Sequence, residues 1–122
     1  MLPYTDGAPI YAQIIARIKA DIATGALSPG SRLPSVRDAA VEHRVNPNTM
    51  YRVMTELERE GFIQAERGVG YFVVDDPALT DALRRDEASK AAAAFLARMD
   101  ELGLSPDEIE ALLHSLLKGG TP

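Results

Sequence analysis

The 122-residue sequence has no cysteine, which removes disulfides and thiolate-bound zinc from the ways the chain can be held together. It has no long hydrophobic run either. Its most apolar stretch, residues 91–97, falls far short of the ~20 residues a membrane-spanning helix needs, so no membrane partner is expected. No signal-like stretch opens the sequence, and the expected compartment is the cytoplasm. Grouped reactive residues are also missing. His43 and His114 stand apart and read as surface residues. Glu56, Glu58 and Glu60 spread around a helix, and Gly68-Val69-Gly70 lacks the third glycine and following helix of a dinucleotide loop. An enzyme is therefore not expected, nor a metal site, nor a cofactor.

Positive charge is scarce overall, since the formal net charge is -5. Taken alone this disfavours a nucleic-acid partner, but an average can hide a local field. Over residues 32–55, Arg32, Arg37, Arg44 and Arg52 face only Asp38 and Glu42, whereas from Pro77 onward acids outnumber bases.

What is present is a clear order of elements. Ile10, Ile14, Ile18 and Ile22 recur every four residues, with Tyr11 and Ile15 widening the stripe, so a first helix follows Pro9 and stops at Gly25. Ser28-Pro29-Gly30 makes a turn, Arg32 and Leu33 run extended, and Pro34 forbids an earlier helix start. Ser35 is an N-cap with Asp38 positioned to close a capping box, giving a short second helix from Val36 to about His43 with Val36, Ala39 and Ala40 as its core face. After a break at Arg44-Val45, Asn46 caps a third helix (46–60) whose first position is Pro47, where the missing N–H costs nothing. Residues 62–66 and 71–74 read as two strands around a glycine turn. Asp76-Pro77 opens a long helix to about Leu102, and Ser105-Pro106-Asp107-Glu108 is a capping box for a last one.

The third helix has two unlike faces. At about 100° per residue, Val53, Met54 and Leu57 fall within about 60° of Met50, and this is the expected buried stripe. Asn48, Thr55, Arg52 and Arg59 lie roughly 140–200° away on the opposite face, so Asn48 and Arg52 stack one turn apart and point straight out. Asn can bridge adenine N6 and N7, and Arg can grip guanine O6 and N7. The acids Glu56, Glu58 and Glu60 come one to two turns later, where a helix entering a groove end-first has left the phosphates. Three helices followed by a hairpin is the order of a winged helix, with the third helix in the major groove and the 62–74 hairpin as the wing.

The ordered set Pro9-Ile10-Tyr11-x-Gln13-Ile14, Gly25-x-Leu27-x-Pro29-Gly30-x-x-Leu33-Pro34-Ser35-x-Arg37, Val45-Asn46-Pro47-Asn48-Thr49, Leu57-Glu58-x-x-Gly61 and Arg67-Gly68-x-Gly70-x-Phe72-Val73 resembles the N-terminal domain of GntR-type bacterial transcription regulators. The resemblance covers about residues 9–74. It implies contacts to double-stranded operator DNA from Ser35 and Arg37 on the second helix and from Asn46, Asn48, Thr49 and Arg52 on the third. Tyr51 joins them at a position often Arg or Gln in relatives. In the wing, Arg67 supplies charge, while Gly68 and Gly70 let the backbone approach the duplex; Glu66 and Val69 stand where basic residues are common.

Only two helices follow Asp76, which resembles the short YtrA-like branch of that family, whose helical tail dimerises. The spacing supports this independently. Ala88, Ala92, Phe95, Met99 and Leu102 form a heptad seam, and the last helix adds Leu112, Leu113 and Leu116. Two helices of this length cannot bury their apolar faces alone, so a homodimer is expected. The expected class is thus α+β and mostly helical: a winged helix-turn-helix domain (1–76) and a two-helix C-terminal dimerisation segment (77–122). The function expected is that of a sequence-specific regulator, repressing from an inverted-repeat operator; the rival is a winged helix used as a protein-interaction module. No polar cluster locates a site for a small-molecule effector, which stays open.

Overall fold

The computed structural model describes residues 8–119, and the elements follow the expected order. The first helix, α1 (Ile10–Thr24), begins where Pro9 accepts the N–H groups of Ala12 and Gln13, and it ends in the left-handed conformation at Gly25. Ile14, Ile15, Ile18 and Ile22 are buried, but Ile10, at the very start of the helix, is exposed, so the core stripe begins a turn later than its spacing indicates.

The second helix, α2 (Val36–His43), starts at Ser35, whose Oγ accepts the Asp38 N–H at 3.1 Å, the forward half of the capping box. Ala39 and Ala40 are buried and Val36 packs beside them. It stops because Arg44 adopts φ 57°, an unusual conformation for a residue with a Cβ. The left-handed turn lets the Val45 N–H reach back to the Ala40 carbonyl at 2.9 Å. This closes the tight turn into α3 (Pro47–Arg59). Met50, Val53, Met54 and Leu57 are all but fully buried, and through them α3 packs on α1, α2 and the hairpin.

Strands β1 (Ile63–Glu66) and β2 (Gly70–Val73) pair antiparallel with Ile63 opposite Val73 and Glu66 opposite Gly70. Their buried ends, Ile63 and Val73, join the core. The stretch before α2 forms a third edge of this sheet. Arg32 bridges Phe72, the Leu33 N–H donates to Tyr71 at 2.9 Å and the Val73 N–H to Ser31 at 2.9 Å.

The helix α4 (Pro77–Glu101) starts where Asp76 Oδ1 accepts the Ala78 N–H at 3.0 Å. Its Leu83 is buried in the same core, so the first compact unit continues through Glu87, beyond the boundary that the Asp76-Pro77 signal marks. The second unit begins at Ala88 and holds the remainder of α4 and α5 (Pro106–Leu117). The Ser105–Glu108 capping box is complete, with bonds of 3.0 and 3.2 Å, and its backbone N–H holds the Glu108 carboxyl below the usual range. Among the described residues from Ala88 on, none is buried. Phe95, Met99 and Leu112 are half-buried, whereas Ala88, Ala92, Leu102, Leu113 and Leu116 are exposed.

Candidate nucleic-acid interface

Helix α3 carries the site, and its front end is built by its sequence. Asn46 Oδ1 accepts the Asn48 N–H at 2.7 Å and Pro47 fills the next position. That bond uses one of the two lone pairs of the Asn46 side-chain oxygen and none of its amide N–H donors. No acid lies in the first turn, so the partial positive charge of the helix start is not offset locally. Asn48 and Tyr51 are exposed, Thr49 is half-buried and the Met50 stripe faces the core.

Arg52 departs from expectation. It lies on the exposed face, yet it does not point straight out: its guanidinium carbon sits 3.7 Å from the centre of the Tyr11 ring on α1. Stacking uses the flat face of the guanidinium, while its N–H donors lie in the plane and stay available at the edge. Arg52 is therefore held in place without losing the edge with which an arginine reads guanine. Tyr11, which the periodicity placed only at the border of a core stripe, is the partner. No sequence pattern links residues 11 and 52, since the contact depends on how α1 crosses α3.

The acids of α3 are employed inside the protein. Glu56 pairs with Arg59, whose hydrogen bond holds the carboxyl below its usual range. Glu58 Oε2 accepts the Ala65 N–H of β1 at 3.1 Å, tying the helix to the hairpin. Glu60 meets Lys19 of α1 at 3.0 Å, and the same ammonium lies 5.0 Å above the Phe62 ring. Glu58 and Glu60 thus tie the rear of α3 to the hairpin and to α1, while Glu56 is held within the helix.

On α2, Ser35 and Arg37 are exposed. The Ser35 oxygen accepts from Asp38, which leaves its O–H to donate outward. Among the described residues no acid pairs with Arg37. His43, at the other end, is not the plain surface residue expected: it is half-buried beside a cavity of about 280 Å³ that Ile18, Leu33 and Met54 also line, and burial lowers its pKa. His114 is exposed.

At the hairpin tip Arg67, Gly68 and Val69 are exposed, and Gly68, at φ +77°, has open space around it. Gly70 is different. A Cβ there would lie 3.1 Å from Arg32 Nε, so its bare backbone makes room for an arginine of the same chain. Arg32, read in the sequence as part of an extended stretch and of a charge surplus, thus reaches the wing.

Residues 10–73 match the family described as bacterial regulatory proteins, gntR family. The HTH-type transcriptional regulator YhcF of Bacillus subtilis (strain 168) is 36% identical over 112 residues, covering 92% of this chain and 93% of that protein. The HTH-type transcriptional repressor YtrA of the same organism is 43% identical over 72 residues, 59% of this chain and 55% of its own length. A solved GntR family transcriptional regulator from Listeria monocytogenes superposes with a TM-score of 0.78 at 34% identity, covering 92% of this chain and 98% of the other. With the family matched over more than half its length and the reading helix, tight turn and hairpin all in place, the chain belongs to the gntR family and is a winged helix-turn-helix transcription regulator, not an enzyme.

Proposed function

We propose that this regulator is a repressor that acts as a homodimer on an inverted-repeat operator, with α3 in the major groove and the hairpin along the backbone. The observation that carries the reading is the division of α3: four buried apolar residues on one side, and on the other an acid-free first turn presenting Asn48, with the edge of Arg52 one turn further on. Asn46, Thr49 and Tyr51 border that surface. Ser35 and Arg37 on α2, and Arg67 with the Gly68 backbone on the wing, serve phosphates. Repression is supported by the resemblance to YtrA, named a transcriptional repressor. A regulator of this kind works in the cytoplasm, and among the described residues no helix is long and apolar enough to cross a membrane.

The homodimer forms through the tail. Leu102, Leu113, Leu116 and Leu117 are 36–85% exposed, an apolar surface that a second copy would cover through the 88–102 seam and Leu112, Leu113 and Leu116. Two-fold symmetry then places two reading helices on two half-sites. Selection of binding fragments from random duplex DNA, followed by footprinting, tests the whole reading. An inverted repeat with two protected half-sites is expected; one asymmetric contact region per dimer refutes it.

A further inference from the structure

Arg32 belongs neither to the helix-turn-helix nor to the hairpin in sequence, yet the fold carries it to the hairpin tip. Its backbone lies along β2, bridging Phe72, with the flanking Gly30 and Leu33 N–H groups donating to Val73 and Tyr71, each at 2.9 Å. From there its side chain crosses Gly70 and donates a hydrogen bond to the Val69 carbonyl at the turn. The crossing depends on the glycine, because a Cβ at that position would stand 3.1 Å from Nε and 3.4 Å from a terminal nitrogen.

Two features indicate more than a clasp for the turn. Val69 offers a neutral carbonyl, so the bond leaves the guanidinium charge unneutralised, and among the described residues no carboxylate pairs with Arg32. The residue is exposed, and one bond uses one of its five donors. The hairpin's own ionic residues, Glu66 and Arg67, cancel. Arg32 gives the tip a net positive charge, held in a fixed position.

We propose that Arg32 is a phosphate-binding residue of the wing, clamped to its tip by Val69 and Gly70. The inference rests on reading the hairpin as a wing against the DNA backbone. Neutralising a phosphate contact changes the dependence of binding on salt by about 0.9 in log–log slope, which a purely structural clasp would not do. The 122-residue chain is titrated with a selected operator at several salt concentrations, as wild type, Arg32→Gln, Arg32→Lys and Arg67→Ala. Arg32→Gln should lower the slope by about one unit and affinity by roughly fivefold near 0.15 M salt, with base preference unchanged, while Arg32→Lys keeps the wild-type slope. In parallel, single phosphates flanking the half-site are replaced by neutral methylphosphonates. Wild type should lose affinity at one such position where Arg32→Gln loses none.

An Arg32→Gln slope equal to wild type overturns the proposal, as does a wild-type protein indifferent to every flanking replacement, a result that does not depend on how well the variant folds. If Arg67→Ala lowers the slope but Arg32→Gln does not, this inference alone fails. If neither does, the hairpin is not a wing.

Discussion

Arg52 is stacked on Tyr11 and, on the proposed reading, meets a base, and separating the two roles makes a sharp test. Removing its side chain should cost the fold the stack on Tyr11 and cost the complex a base contact. At 3.7 Å the ring and guanidinium are in close contact, and because Arg52 is exposed while Tyr11 is half-buried, the stack should contribute about 0.5–1 kcal/mol, below the ~2 kcal/mol of a desolvated pair. For a compact unit of this size, that shifts the melting temperature by only a few degrees, about 4–8 °C per kcal/mol. The base contact, if bidentate, should supply about 1–3 kcal/mol of discrimination at one base pair per half-site.

The assay is a double-mutant cycle on Arg52→Ala and Tyr11→Leu, read by thermal melts and by binding selections. In the melts the two losses should couple by about 0.5–1 kcal/mol, since each removes the same stack. Tyr11→Leu also loses packing against the core, and the cycle subtracts that part. In the selections Arg52→Ala should relax one base pair per half-site. Coupling in the melts with an unchanged base preference would make Arg52 a structural ring partner only. Additive melts would mean that the ring does not hold it.

Other perturbations have equally definite outcomes. Arg37→Ala should weaken all duplexes alike and lower the salt slope by about one unit, measured by titration at several salt concentrations; a changed base preference with the same slope would move Arg37 to base reading. Met54→Ala, at a fully buried position, should lower stability by about 2–5 kcal/mol in denaturant melts. Charged residues at both Phe95 and Leu113 should give monomers by sedimentation, and wild-type dimers would place the interface elsewhere. His43 titrates below its ordinary 6.5, chiefly through burial, with Arg17 also lowering it and Glu42 and Asp21 opposing. Just below pH 6.5 the unfolded chain takes up a proton that the folded one refuses, so stability should fall as pH drops from 6.5 to the lower folded value and then level off. His43→Gln should flatten that part of the pH–stability curve.

How much of this was legible in the sequence follows from the range of each signal. Helix starts were legible because a cap is local: Asn46 with Pro47, Asp76 with Pro77 and Ser105 with Glu108 sit within a turn of the backbone groups they satisfy. The Met50, Val53, Met54 and Leu57 stripe was legible because burial follows helical period. Contacts across the chain were not. Nothing local joins Tyr11 to Arg52, Glu58 to Ala65 or Arg32 to Val69. The closeness of Gly70 to Arg32 was hidden for the same reason, since that neighbour lies at residue 32. The boundary at 75–77 marked a true helix start, but Leu83 buries against the core beyond it; a cap reports where an element begins, not which core it joins.

The placing of the acids also explains how a chain of net charge -5 can address a polyanion. In the first unit the acids nearest the reading helix are spent internally: Glu56 on Arg59, Glu60 on Lys19 and Glu58 on a backbone N–H. Among the described residues, Arg32, Arg37, Arg44, Arg52 and Arg67 have no acid partner. On the proposed reading, phosphate would meet arginines that hold no ion pair, and binding would not have to break one first. The overall negative charge works against loose, sequence-independent association, which is driven almost wholly by phosphate neutralisation. A few fixed cations on an acidic protein thus place more of the binding free energy in contacts that require the right site, and affinity for non-operator duplex should be the first to vanish as salt is raised.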